Sequence, residues 1–378
     1  MPFATAISEH PQTVEATAEV VGAVLDGIGP APDLAVLFLS AHHADAVDGI
    51  VETIQTVLAP GALIGTTAIS VLGHDREVED QPAITLWAAR TGAVRAVRLD
   101  ALRAGDGVVL LGLEDIDLAD TATMILLADP MSFPIDDVVA ALEVDAPHVQ
   151  IIGGMASAGF APGSNRLIID GHVHDDGAVA VLLGPDQVVT TVVSQGCRPI
   201  GEPMVVTKAD RNLVQELAGR PALVRLDEIF QQLPEHEREL VQRGLHIGRV
   251  IDEHKLEFGR GDFLVRNVMG ADRATGAIAI GDIVEVGTTV QFHVRDAGSA
   301  DEDLREMLAG QQGDAALVFT CNGRGIRLFG RPDHDAEIVD RVVDGMTAGM
   351  FCAGEIGPVG GRTFLHGFTA TLALFVEE

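Results

Sequence analysis

Three stretches of this chain repeat one order of hydrophobic periods, and that repetition limits the folds open to it more than any single motif does. Each has an apolar run, an amphipathic stretch, a short strand with an Ile-Gly pair, a glycine-rich loop and a final apolar strand. The first starts with DLAVLFLSA at Asp33, carries Val47, Ile50, Val51, Ile54 and Leu58 on one helical face, and continues as ALIGTTAIS to PAITLWAA near Ala89. The second starts with ATMILLA at Ala122, carries Ile135, Val138, Val139 and Leu142, and continues as VQIIGGMASAG to GAVAVLLG at Gly184. The third starts with AALVFTC at Ala315, carries Ile338, Val339, Val342 and Val343, and continues as CAGEIGPVGG to FTATLALF at Phe375. The helical stripes keep a period of about 3.6 residues between short β-branched or Leu-rich runs, so the repeat reads as β-α-β-β.

The copies are not contiguous, which excludes a solenoid and points to a triplicated supersecondary element inside larger domains. The expected fold is α/β, or mixed α+β, with repeated β-α-β-β units in mixed sheets and two tightly packed domains. Residues 1–220 are expected to hold the first two repeats, and residues 221–378 a strand meander and the third, with Pro221 at the boundary. Glycines after each Ile-Gly bring backbone close to the strand ends, so Gly153-Gly154 and the segment Gly357 to Gly361 are where a site is sought.

With 56 acidic and 25 basic residues the formal charge is −31, a field that repels phosphate backbones and excludes nucleic acid as a partner. Neither Lys208 nor Lys255 follows a glycine, so a G-K-[ST] phosphate loop is absent. The chain has no tyrosine, which removes mechanisms needing a phenol acid or base. Cys197, Cys321 and Cys352 are odd in number and lack a C-x-x-C spacing. No disulfide framework, no zinc site and no cofactor is therefore expected, and a cytoplasmic location follows as the default. MPFATAISEH lacks the features of a signal peptide, and no apolar run reaches the ~18 residues of a membrane span, so no membrane association is expected.

Chemistry is sought at strand ends. Cys321-Asn322-Gly323-Arg324-Gly325 follows the first strand of the third repeat, where glycines on either side of Arg324 can deliver a guanidinium into a crevice suited to a carboxylate. Glu355, in Gly354-Glu355-Ile356-Gly357, is expected either to bind a ligand's amino group or to orient Arg324. Gly196-Cys197-Arg198-Pro199 and Arg266-Asn267 present arginine, thiol and amide groups at other strand ends. His172-Val173-His174-Asp175-Asp176 reads as a polar turn rather than a metal site, and His42-His43 as a polar helix start. Cys321 as a nucleophile would need a histidine and an orienting acid, for which His366 and Glu355 are the candidates if the fold brings them together.

The segments SQGCRPIGEPMVVTKADRNLVQELAGRPAL, DFLVRNVMGAD, VQFHVRDAGSADEDL, TCNGRG and GEIGPVGGRTFLHGFTATLALF resemble the FIST family (F-box and intracellular signal transduction) over nearly the whole chain. G-C-R-P-I-G, C-N-G-R-G and G-E-I-G-P in that order carry the resemblance. It implies a bacterial cytoplasmic sensory module for a small ligand such as an amino acid. The matched segments leave no kinase, cyclase or helix-turn-helix, so output through a separate signalling protein is expected. The ligand is expected among Arg324, Asn322, Cys321, Glu355, Arg198, Cys197, Asn267 and Gly154, with Cys321 a small buried liner. A Cys321 enzyme and a non-catalytic scaffold are the alternatives, and association into a homo-oligomer stays open.

Overall fold

The computed structural model describes residues 2–104 and 107–377; Gly105 and Asp106, in the connector after the first repeat, lie outside the described residues. The chain forms two compact units: a core unit of Met1–Val193, Leu304–Leu365 and Thr369–Glu378, and an inserted unit of Ser194–Asp303 with His366–Phe368.

In the core unit, β1 (Phe3–Ser8) and α1 (Thr13–Ile28) lead to β2 (Leu34–Ser40), a 3-10 turn, α2 (Val47–Thr53) continued by a π turn (Ile54–Leu58), and β3 (Ala62–Ala68). A hairpin of β4 (Ser70–Gly73) and β5 (Arg76–Glu79) precedes β6 (Ile84–Ala89). α1 stops where Gly29 takes φ 78° and donates its N–H to the Leu25 carbonyl, a conformation that glycine adopts without steric cost. The second repeat follows β7 (Arg95–Ala104) and β8 (Gly107–Leu111) and consists of β9 (Thr123–Ala128), α3 (Ile135–Asp145), β10 (Gln150–Met155), the hairpin β11 (Leu167–Ile169) and β12 (His172–His174), and β13 (Ala178–Leu183).

After β14 (Val188–Gln195) the chain enters the inserted unit: β15 (Cys197–Asp210), β16 (Leu213–Leu217), β17 (Arg220–Pro221), α4 (Ala222–Gln232), α5 (Glu235–Arg243), β18 (Leu245–Val250), β19 (Phe263–Asp272), β20 (Ala277–Ile280) and β21 (Thr289–Arg295). α6 (Ala297–Leu308) leads back into the third repeat: β22 (Ala315–Cys321), α7 (Ile326–Phe329), α8 (His334–Val343), β23 (Thr347–Cys352), the hairpin β24 (Glu355–Val359) and β25 (Arg362–His366), and β26 (Thr369–Val376).

The three repeats share one topology. In each, the first strand runs parallel to the strand after the helix (β2 with β3, β9 with β10, β22 with β23) and antiparallel to the last (β6, β13, β26). The glycine-rich loop is itself a two-stranded hairpin, so the repeat is longer by two strands than its β-α-β-β reading. These hairpins do not join the sheet of their own repeat. β11–β12 of the second repeat extends the sheet of the first, β24–β25 of the third extends the second, and β4–β5 of the first extends the third. The exchange closes a ring of three.

Alternation along the strands builds the core of this ring. Leu34, Val36 and Phe38 of β2, Ile125 and Leu127 of β9, and Ala315, Leu317 and Phe319 of β22 enter one shared cluster. The intervening residues face the helices of their own repeat: Ala35, Leu37 and Leu39 in the first, Met124, Leu126 and Ala128 in the second, Ala316 and Val318 in the third. Phe38 meets Phe319 edge-on at 6.1 Å, and Trp87 packs on Phe375 at 4.9 Å, so the first and third repeats touch through aromatic rings. The third repeat thus folds with the first two. Position 220/221 lies within the inserted unit, and shared hairpins and a shared core tie residues 304–365 to 1–193.

One detail of the repeat alignment is corrected. Ile356-Gly357 lies in hairpin strand β24, whereas the third-repeat counterpart of β3 and β10 is β23. The glycine that matches Gly65 is Gly349: each lies beside the first-strand residue three positions before its end, Leu37 and Val318 respectively.

In the inserted unit, β15-β21-β18-β19-β20-β16 pair in sequence and β16 pairs again with β15, so the antiparallel ladder returns on itself. Register shifts along β15 between Ile200 and Met204 and between Val206 and Lys208 give this long strand the bend needed to serve two neighbours. Ile200, Ile247, Phe292, Val294, Val214 and Ile278 pack inside, with Ala222 of α4 and Leu233 alongside.

Candidate functional site

The parallel pair β22–β23 ends at Cys321 and Cys352, which are register partners, and the N–H of Asn322 donates to the Cys352 carbonyl at 2.9 Å. Beyond it Gly325 adopts φ 59°, which turns the chain sharply into α7. Arg324 is carried inward by that turn and is fully buried. Its Nε donates to Asp335 Oδ2 at 2.7 Å and its Nη2 to Asp335 Oδ1 at 2.8 Å, a two-pronged pair that fixes the guanidinium plane. Thr320 Oγ1 donates to Asp335 Oδ2 at 2.8 Å, and His334 Nδ1 lies 2.9 Å from Oδ1. Phe329 stacks on the His334 ring at 3.3 Å and lies beneath the Arg324 guanidinium, 5.2 Å from its centroid. Burial alone would raise the Asp335 carboxyl, but the charge and hydrogen bonds of Arg324 overcome it and hold the group well below the usual carboxylate range. The third nitrogen, Nη1, is buried without a partner.

The first repeat completes this cluster through its exchanged hairpin. Glu77 of β5 accepts on Oε1 the backbone N–H groups of Asp335 at 2.8 Å and Ala336 at 3.1 Å, capping α8 from another repeat. Its own N–H donates to Asp333 Oδ1 at 2.7 Å. Burial, and then the charge of Asp335, push the Glu77 carboxyl up to about 8 against the pull of those two N–H groups. At neutral pH the group is mainly protonated. Because Oε1 accepts both N–H bonds, the proton belongs on Oε2, which is also buried without a partner. Next along β5, Glu79 Oε1 accepts the Ile326 N–H at 2.8 Å.

Cys321, Cys352, Glu355 and Gly154 meet on the other side of the same strand ends. Gly154 of β10 pairs with Glu355 of β24, and a Cβ at Gly154 would lie 2.3 Å from the Cys352 sulfur. The missing side chain makes room for that thiol. Glu355 is fully buried and accepts the Thr369 N–H at 3.1 Å and hydroxyl at 2.8 Å on Oε2. Burial pushes the Cys352 thiol well above its ordinary value, with Glu355 and Cys321 adding to the rise. The Cys321 thiol sits 3.9 Å from Asn322 Oδ1, and Asn322 is half-buried at the loop's outer edge.

Register identifies the matching junction elsewhere in the ring. Val71 and Leu167 meet β23 and β3 at the same position, and each pairs onward to Val78 and His174, so Glu79 corresponds to Asp175. Counting from the ends of β2 and β22, Arg324 corresponds to His43 and Ile326 to Asp45. Where Glu79 closes on Ile326, the Asp175 junction instead leaves a cavity of about 410 Å³ lined by Asp45, Asp48, Arg166, His174 and Asp175. His43 is buried there with Nδ1 2.9 Å from Thr13 Oγ1, and His172–His174 form strand β12 between two turns.

The remaining sequence-selected residues lie in the inserted unit. Cys197 is buried opposite Arg295 in the β15–β21 ladder. Arg198 points to the other face and is held by Asp296 and Glu237, each at 3.1 Å. Asn267 is exposed on β19 and pairs with His246 of β18. Among the described residues no group of three or more His, Cys, Asp or Glu could hold a metal ion, and no helix is long and apolar enough to cross a membrane.

Sequence reasoning missed Asp335 and Glu77. For Asp335 a signal was present in Asp333-His334-Asp335, acidic residues at a helix start where carboxylates are favoured. Glu77 had none, since its partner depends on the exchange of hairpins.

The FIST N domain matches residues 33–220 and the FIST C domain residues 222–358. An uncharacterized protein of Mycobacterium tuberculosis (strain H37Rv) is 44% identical over 387 residues, covering 100% of both chains. An uncharacterized protein of Mycobacterium bovis is 42% identical over 386 residues, again covering 100% of both.

Proposed function

The chain belongs to the FIST family, whose domains are sensory domains of signal transduction, and we propose that it senses an amino acid or other small carboxylate at the end of β22. The observation that carries the reading is the division of labour on Arg324: Asp335 occupies Nε and Nη2, and Nη1 is left buried and unpartnered. A guanidinium whose plane is fixed by an inner carboxylate is ready to receive an outer one without further ordering. The protonated Oε2 of Glu77 supplies a second unused donor in the same cluster. Asn322 and Gly323, both half-buried, are the loop residues that separate Arg324 from the strand end. Cys321 lines the site, and the response is read by a separate protein.

A binding event there has a structural route outward. Glu77 belongs to the first repeat and α8 to the third, so a ligand touching both alters how tightly one repeat holds the next. The test is a thermal-shift and calorimetric screen of amino acids and small carboxylates against the wild type and Arg324→Lys, which keeps a charge for Asp335 but loses the fork. We expect one ligand class to raise the melting temperature of the wild type and to lose at least tenfold in affinity in the variant. An undiminished affinity in Arg324→Lys, or a panel without a ligand, rules out this site.

A further inference from the structure

The inserted unit carries a second constellation. Pro199, His293, His246 and Asn267 stand in register across β15, β21, β18 and β19. Beside this row Cys197, Val250, Phe263 and Val265 form a small apolar cluster with Phe258 and Phe368 against it. His293 is fully buried, its ring 4.9 Å from that of Phe263. Gly248 admits that ring, because a Cβ there would stand 2.4 Å from His293 Cε1. His293 Nδ1 lies 3.0 Å from the Gln291 carbonyl, which fixes the proton on Nδ1 and leaves Nε2 as an acceptor. That Nε2 has no partner. Gln195, 4% exposed, donates through Nε2 to the Phe263 carbonyl at 3.0 Å, and its Oε1 is likewise buried without a partner. Two unused acceptors therefore flank Phe263.

We propose that this cluster is a second small-molecule site, taking the N–H donor edge of a neutral carboxamide or urea group on His293 Nε2 and Gln195 Oε1 with Phe263 and Cys197 as its apolar floor. A small apolar patch with a few convergent polar atoms is the usual composition of a ligand site. The surrounding charges select against an ion. Asp303, the carboxylate bonded to the Gln195 backbone, already accepts the Ser194 hydroxyl, the Gln195 N–H and Arg260 Nη1. Burial pushes the His293 imidazole down to about 4, and His246 likewise to about 4 with the charge of Arg295 adding to burial, so both rings are neutral acceptors at physiological pH. A cation would enter a buried site without a free counter-charge, and an anion would meet two lone pairs. Only a neutral donor matches.

The probe is acetamide, compared with acetate and methylammonium, by saturation-transfer NMR on the full chain. Acetamide should bind saturably in the millimolar range expected of so small a ligand, and the two ions at least tenfold more weakly. Gln195→Leu and His293→Phe should each weaken acetamide at least tenfold, with circular dichroism confirming the fold. Since either variant could misfold, the wild type supplies a second readout: the His293 Nε2 resonance should move toward hydrogen-bonded values when acetamide is added. Equal binding of methylammonium or acetate, or a His293 resonance that stays put at saturating acetamide because water alone fills the site, overturns the proposal. So does the absence of saturation transfer.

Discussion

Asp335→Asn removes the counter-charge of a guanidinium that is fully buried. Breaking a buried pair by deleting one partner costs about 3–5 kcal/mol, because the surviving charge loses its mate while remaining out of water. Here the loss should fall near about 3 kcal/mol. The charge of Asp335 is the second cause that keeps Glu77 protonated, after burial, so its removal lets Glu77 ionise and partly replace it beside Arg324. Adding Arg324→Met to Asp335→Asn should then restore at least about 2 kcal/mol, since no charge is left stranded and only hydrogen bonds from Thr320 and His334 are weakened. The assay is urea unfolding followed by tryptophan fluorescence. The chain has one tryptophan, Trp87, buried in the shared core of the three repeats, so the signal reports the core unit. With a slope of about 3 kcal/mol per M, a loss of 3 kcal/mol moves the midpoint by about 1 M. A shift under about 0.3 M for Asp335→Asn, or a double variant less stable than the single one, would refute the assignment of this pair as a buried, mutually dependent lock.

Two further outcomes follow from the same cluster and its neighbour. Glu77 has a folded-state pKa near 8 against an ordinary 4.5, so the folded state holds the extra proton; core-unit stability should fall as pH rises from about 5 through 8, by on the order of a few kcal/mol, and then level off. Glu77→Gln, which keeps the Oε1 acceptor and cannot ionise, should flatten that profile, and urea midpoints taken across the range would expose the idea as mistaken if the slope persisted. Gly154→Ala places a methyl 2.3 Å from the Cys352 sulfur and should cost about 1–3 kcal/mol, most of it recovered when Cys352→Ala removes the sulfur; purely additive losses would show that the contact is not the cause.

The parts of this structure visible in the sequence are those whose cause is local. The alternation of Leu34, Val36 and Phe38 with Ala35, Leu37 and Leu39 is a property of a few residues, and so is the helical stripe from Val47 to Leu58; both elements stand as expected. The strand end at Cys321 was legible for the same reason, from an apolar run meeting a glycine pair. The hairpins were not. β4 and β5 are four residues each, too short for a clear period, and their partner β23 lies far away in the chain. That distance also explains the reading of Arg324. Glycines on either side correctly indicated a sharp turn, but whether the turn delivers the side chain outward or inward depends on Asp335 at the start of the following helix and on Glu77, which only the exchange of hairpins brings to the cluster.

The ring of exchanged hairpins has a consequence for how such a chain can shorten or come apart. Each sheet is finished by strands that belong to the next repeat, and the third lends to the second as the second lends to the first and the first to the third. Deleting one repeat would strip a neighbour of its border and leave another with a border to give and no recipient. Every repeat is therefore both donor and recipient, and the removal of any one alters the sheet borders of the other two.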